Sequence, residues 1–203
     1  MSGSVVEVPK ERLAREKVEW ILARWEKKRR GLLGPLLFPD SCARRLTRIE
    51  QVYVPHFLFT FQQSIRSRIE VHYILIDALC GFGAFTNAEP ELSQEDATGA
   101  VFAASLSSEK AQERAKDWLS RWNLRRHAFH LTPPTILSSR SLFFHFPFWL
   151  AFYERPSGRM DLEVVDGVRG FLEGGRTKYM INRGLASLGR TLESSAEELL
   201  AGH

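Results

Sequence analysis

Apolar residues first recur at helical spacing in segment 14–25. Val18, Ile21, Leu22 and Trp25 fall at i, i+3, i+4 and i+7, the period of one face of an amphipathic α-helix. The same spacing returns at Ala115, Trp118, Leu119 and Trp122. Aligned at an offset of 97, segments 14–25 and 111–122 are identical at five of twelve positions, among them Trp25/Trp122. Both predicted helices end in cations, Lys27, Lys28, Arg29 and Arg30 in the first and Arg125 and Arg126 in the second. Positive charge suits the negative end of a helix dipole. Pro9 and Ser107 or Ser108 are start signals for the two helices. Val5–Val8 reads as a strand. Val101–Ala104 reads as its counterpart or as part of a small helix capped by Ser93 and Asp96.

Two further blocks repeat in the same order. Segments 53–61 and 144–153 are aromatic-rich runs, with Pro55 and Pro147 at an offset of 92. Such runs read as strands, with their prolines at a strand start or an edge. Segments 71–82 and 161–171 each carry an apolar strand, Asp-x-x-x-Gly and Phe. Asp77/Asp166 and Gly81/Gly170 share an offset of 89. Three ordered blocks predict an α+β chain built as a tandem duplication of a strand–helix–antiparallel-sheet unit. The expected division is 1–88 for the first repeat, 89–99 for an acidic linker, 100–175 for the second repeat and 176–203 for a C-terminal helical tail. Gly184 and Gly189 argue against one continuous helix in that tail.

The motif "aromatic–Pro–aromatic strand, turn, strand ending in Asp-x-x-x-Gly" resembles the units of PepSY-like and cystatin-like α+β domains, best over Trp118–Gly170 and less over Trp20–Gly81. The resemblance implies a helix packed on an antiparallel sheet and a binding or regulatory role. It carries over no catalytic residue. Where those domains have an Asp-x-x-Thr-Gly-like turn, this chain has no Thr in either copy.

Composition narrows the function classes. The 203 residues are 44% hydrophobic and 26% charged, with a net charge of +4, a balance that supports a packed core. Two cysteines, Cys42 and Cys80, exclude a disulfide-dense scaffold and a four-cysteine zinc site. No segment has the length and apolarity of a membrane span, and nothing reads as a Sec signal. The expected location is the bacterial cytoplasm.

No P-loop, dinucleotide fingerprint, Gly-x-Ser-x-Gly elbow or His-Glu-x-x-His motif occurs. No cofactor or metal is expected. His127, His130 and His145 read as polar-face or capping residues in preference to metal ligands, and both cysteines as structural thiols. Asp77 and Asp166 could form a catalytic pair. The stronger reading makes Asp77, Gly81, Asp166 and Gly170 structural turn residues, because Asp accepts backbone N–H bonds just downstream and Gly tolerates positive φ. Lys27, Lys28, Arg29, Arg30, Arg125 and Arg126 are candidate anion-binding residues. Aromatics among arginines could clamp single-stranded nucleic acid, although a solvated basic face explains the same charges.

Three functions are therefore expected in order. The first is a non-enzymatic binding or regulatory protein acting through a protein partner. The second is a nucleic-acid-binding accessory protein using the basic helix ends. The third is an enzyme with a site at the repeat junction.

Overall fold

The computed structural model describes residues 4–30, 44–65, 68–127 and 134–189. The order is β1 (Val5–Pro9), α1 (Arg15–Arg30), β2 (Arg45–Ile65), β3 (Arg68–Asp77), β4 (Gly83–Thr86), β5 (Leu92–Asp96), β6 (Ala100–Val101), α2 (Ser108–His127), β7 (Thr135–Glu154), β8 (Met160–Asp166) and α3 (Gly175–Ser187). The chain is α+β, and its sheets are mostly antiparallel. The main sheet runs β4-β3-β2-β7-β8, with the short β6 parallel to β2.

Two long strands form its centre. β2 and β7 pair antiparallel from Arg45↔Glu154 to Ser64↔Thr135, and Val54 faces Phe146 at the middle. β3 flanks the second half of β2, from His56↔Asp77 onward. β8 flanks the second half of β7, from Phe148↔Asp166 onward. The prolines stand where these flanking ladders begin. Pro55 O accepts the Ala78 N–H at 2.8 Å, and Pro147 O accepts the Gly167 N–H at 3.0 Å. A residue's N and C=O point to the same side of a strand, so each missing N–H faces the side where the neighbouring strand has already ended. Both prolines are thus tolerated inside long strands, not only at the starts or edges that the sequence suggests.

The two faces of the sheet are covered differently. On one face, α1 buries Val18 and Leu22 against Ile49, Trp149, Ala151, Tyr153 and Val165. On the same face, α2 buries Ala111, Ala115 and Leu119 against Phe57, Phe59, Phe61, Ile74 and Ile76. The β1–β5 ribbon places Val6 and Val8 on Tyr53. On the opposite face, α3 packs Met180, Ile181 and Leu185 over Val52, Val54, Leu150, Phe152, Leu162 and Val164. Burial on both faces explains why β2 and β7 read as continuous apolar runs instead of alternating ones.

One local expectation changes. Residues 92–96, within the acidic segment, are not a helix start but the strand β5, paired with β1. In the C-terminal segment, α3 is packed on the sheet. Residues 190–203 lie outside the described residues.

Candidate functional site

The face that carries α3 is only half covered. Beyond α3, the residues of β2 and β7 on this face include His56, Leu58, Phe144 and Phe146. Together with Leu75 they floor a cavity of about 680 Å³. Arg176, Thr177 and Met180 of α3 form one wall. The segment 87–91 forms another. Thr86, Tyr73, Thr60 and Arg140 share one row across four strands, and Glu89 is ion-paired with Arg140. The chain after β4 therefore crosses from the β3 side of the sheet to β7. Lys10 closes onto this segment, with its side chain 3.1 Å from Glu91 and its N–H bonded to Glu91 O at 2.9 Å.

His56 stands at the centre of the floor, 5% exposed. Phe144, Phe146 and Phe148 surround its ring, with centroids 5.8–6.4 Å away. Its Nδ1 lies 2.9 Å from Val54 O. A carbonyl only accepts, so Nδ1 carries the proton and the neutral ring keeps its lone pair on Nε2. Burial pushes the His56 pKa below the ordinary histidine range, against the opposing pull of the Val54 bond and the Asp77 charge. His145 is also lowered, by burial and then by the charge of His56.

Asp77 and Asp166 both line the cavity, yet each carboxylate is engaged in its own turn. Asp77 accepts N–H bonds from Leu79 at 3.1 Å, Cys80 at 2.6 Å and Phe82 at 2.5 Å. Asp166 Oδ1 accepts those of Val168 and Arg169, both at 2.7 Å. In both turns the Gly N–H bonds back to the Asp carbonyl at 3.0 Å. Gly81 and Gly170 have φ of 76° and 75°, the left-handed region that favours glycine. A helix lies against each turn, α2 at Gly81 and α1 at Gly170. A Cβ on Gly81 would lie 2.2 Å from Arg114 Nη1, and one on Gly170 would lie 2.8 Å from Ile21 Cδ1. The residues that the two helices bury, Val18/Ala115 and Leu22/Leu119, keep the offset of 97 that aligns the tryptophans.

The candidate anion-binding cations sit at the ends of two different helices. Lys27, Lys28, Arg125 and Arg126 are exposed, Arg29 is partly buried, and the Arg30 side chain lies outside the described residues. Arg29 lies over Trp25 and Arg126 over Trp122, at 5.2 and 5.5 Å. Cys42, His130 and the side chain of His127 lie outside the described residues. The Cys80 thiol is pushed up by burial and by Asp77, which keeps it protonated and a poor nucleophile. No group of three or more His, Cys, Asp or Glu among the described residues could hold a metal ion. No helix among them is long and apolar enough to cross a membrane.

Two groups escape sequence reasoning. One is His56, whose only signal is a polar residue inside an apolar run. The other is a buried charge cluster around Arg44, whose side chain is 1% exposed. Arg44 bonds Glu26 at 2.5 and 2.9 Å and Glu163 at 2.9 Å. Its guanidinium lies between the rings of Trp25 and Tyr153, at 5.0 and 4.0 Å. Lys178 binds Glu163 from α3 at 2.5 Å, and Arg155 binds Asp161 at 2.8 Å. The cluster joins α1, β8 and α3 and is removed from the cavity floor. Compared with known proteins, the chain matches no family model, no curated protein and no solved structure.

Proposed function

We propose that the protein is a non-enzymatic binding or regulatory protein whose site is the cavity between the sheet, α3 and segment 87–91. One observation carries this reading. The floor is apolar around a single neutral histidine, while both carboxylates that could act as acid and base are held by their own turns. Concave, largely apolar sites with few polar groups suit small-molecule ligands. The ligand is then a small molecule, and any protein partner reads the loaded state. We place the cavity at the junction of two duplicated units. The Val54–Phe146 centre of the β2–β7 register and the matched Asp turns support the duplication. Helices packed on an antiparallel sheet are in keeping with the PepSY-like and cystatin-like resemblance.

The test is titration with N-phenyl-1-naphthylamine, a neutral apolar fluorophore. One saturable site is expected in the unmutated protein and its loss in Leu75→Trp, which fills the cavity. No saturable binding, or unchanged binding in a folded Leu75→Trp protein, overturns the reading.

A nucleic-acid partner is the second reading. It is favoured by Trp20, 52% exposed on α1 and flanked by Lys17 and Arg24 at 4.7 and 5.3 Å from its ring. Such a ring can stack a base beside phosphate-binding cations. Oligonucleotide affinity that falls steeply with salt and drops on neutralising Lys27, Lys28, Arg29 and Arg30 would support it. Absence of binding at low salt would remove it.

A further inference from the structure

The chemistry of the cavity narrows the ligand, given the reading above that the cavity binds a small molecule. His56 carries the argument. The ring has one proton, on Nδ1, and that proton is committed to Val54 O. Its Nε2 lone pair has no hydrogen-bond partner among the described residues, and the ring lines the cavity. An acceptor left open on an apolar floor recognises a donor, and a ligand that lacks one leaves the lone pair desolvated and unpaired.

Charge decides between donors. Asp77, Asp166, Glu11, Glu89, Glu91 and Glu173 line the cavity against Lys10, Arg169 and Arg176, with Arg140 paired to Glu89 from outside the lining, so carboxylates still outnumber cations and an anionic ligand meets a net repulsion. A cation would have to shed its water over Leu58, Leu75 and the phenylalanines, which is costly because the Asp77 and Asp166 carboxylates are committed to their turns and Glu89 and Glu91 to Arg140 and Lys10. The aromatic rings around His56 favour a flat body stacked or edged against them.

We infer that the cavity takes a neutral, flat, largely apolar molecule bearing one hydrogen-bond donor, a hydroxyl or N–H, which His56 Nε2 accepts. Phe144 and Phe146 contact its body, and the donor sets its orientation. Specificity follows from the unpaired acceptor: a methyl group in place of the hydroxyl fills the same volume but cannot bond the ring.

The experiment displaces N-phenyl-1-naphthylamine with 2-naphthol, 2-methylnaphthalene and 2-naphthoate, in the unmutated protein and in His56→Phe. The expected result is a preference for 2-naphthol over 2-methylnaphthalene that falls about tenfold in His56→Phe, the worth of one such bond. 2-Naphthoate should be the weakest of the three. The ¹⁵N resonance of His56 Nε2 in the unmutated protein gives a readout that needs no variant. It should move with 2-naphthol and stay in place with 2-methylnaphthalene. Equal preference in both proteins, or an Nε2 resonance unmoved by bound 2-naphthol, overturns the assignment of His56 while leaving the cavity a binding site. Tightest binding by 2-naphthoate overturns the neutral class. Failure of the fluorophore and all three probes to bind overturns the binding reading itself.

Discussion

His56 and Asp77 are direct partners across β2 and β3, yet they share no hydrogen bond. Each is bound elsewhere: the ring to Val54 O, the carboxylate to the N–H groups of Leu79, Cys80 and Phe82. The pair that looks like an acid and its base is two separate structural devices. Asp77→Ala would leave three donors without their acceptor and should cost about 3 kcal/mol. Asp166→Ala, which frees two donors, should cost about 2 kcal/mol. Urea unfolding of the double variant should give the sum within about 0.5 kcal/mol, because the turns share no partner. A clear departure from additivity would mean that the two carboxylates interact.

The turn glycines separate backbone strain from packing. Gly158 has φ of 76° and open space around a Cβ, whereas Gly170 has φ of 75° and Ile21 Cδ1 in the way. Gly158→Ala should cost about 1–2 kcal/mol, the left-handed penalty alone. Gly170→Ala should cost clearly more in the same denaturant assay. Equal losses would show that α1 gives way at Ile21.

Arg44 neutralises Glu26 and Glu163 inside the protein. Arg44→Ala removes the buried guanidinium from both carboxylates, leaving Glu163 its Lys178 partner, and should destabilise by about 3–5 kcal/mol, as breaking a buried ion pair does. Arg45, whose Nη2 lies 3.4 Å from Glu154 at the surface, is the control. Arg45→Ala should change stability by less than about 1 kcal/mol.

The histidines give the acid limb its sign. Burial first lowers the pKa of both His56 and His145 in the folded protein, while in the unfolded chain they titrate near the usual value of about 6.5. Below about pH 6.5 the unfolded state therefore binds more protons, and stability falls as pH drops towards the folded values. His56→Phe removes part of that slope. Urea midpoints of the variant should fall less between about pH 7 and about pH 5.5 than those of the unmutated protein. An unchanged slope would place the proton uptake elsewhere.

The helix faces supply the last test. Leu22 is buried at 1% exposure while Trp20 is 52% exposed. Leu22→Ala should cost about 2–5 kcal/mol and Trp20→Ala within about 0.5 kcal/mol, read by the same unfolding curves. The periodicity of α1 alone separates these two residues, since Leu22 lies on the apolar stripe and Trp20 off it. It places Trp25 on the same stripe, but the structure leaves that ring partly exposed and stacks Arg29 and Arg44 against it.

What the sequence determined by itself is local. The period of 3.6 marks α1 and α2, because a helix that must bury one face has to place its apolar residues there. The aromatic runs mark the centre of β2 and the second half of β7, although the strands extend well beyond them into polar sequence at Arg45–Gln51 and Thr135–Ser141, where cross-strand pairing replaces apolarity as the signal. Asp-x-x-x-Gly can be read because an Asp side chain reaches only the next few N–H groups. The tertiary structure alone decided everything that joins distant residues. Arg44 meets Glu26, Asp161 and Glu163 through three elements whose sequences do not mention one another. α1 seats on the turn at Gly170 and α2 on the turn at Gly81, contacts between segments far apart in the chain. The cavity exists because α3 covers half of one sheet face and segment 87–91 crosses the other half. His56 is neutral and open to a ligand there because packing removed its water and left one ring nitrogen unbonded, which no pattern along the chain records.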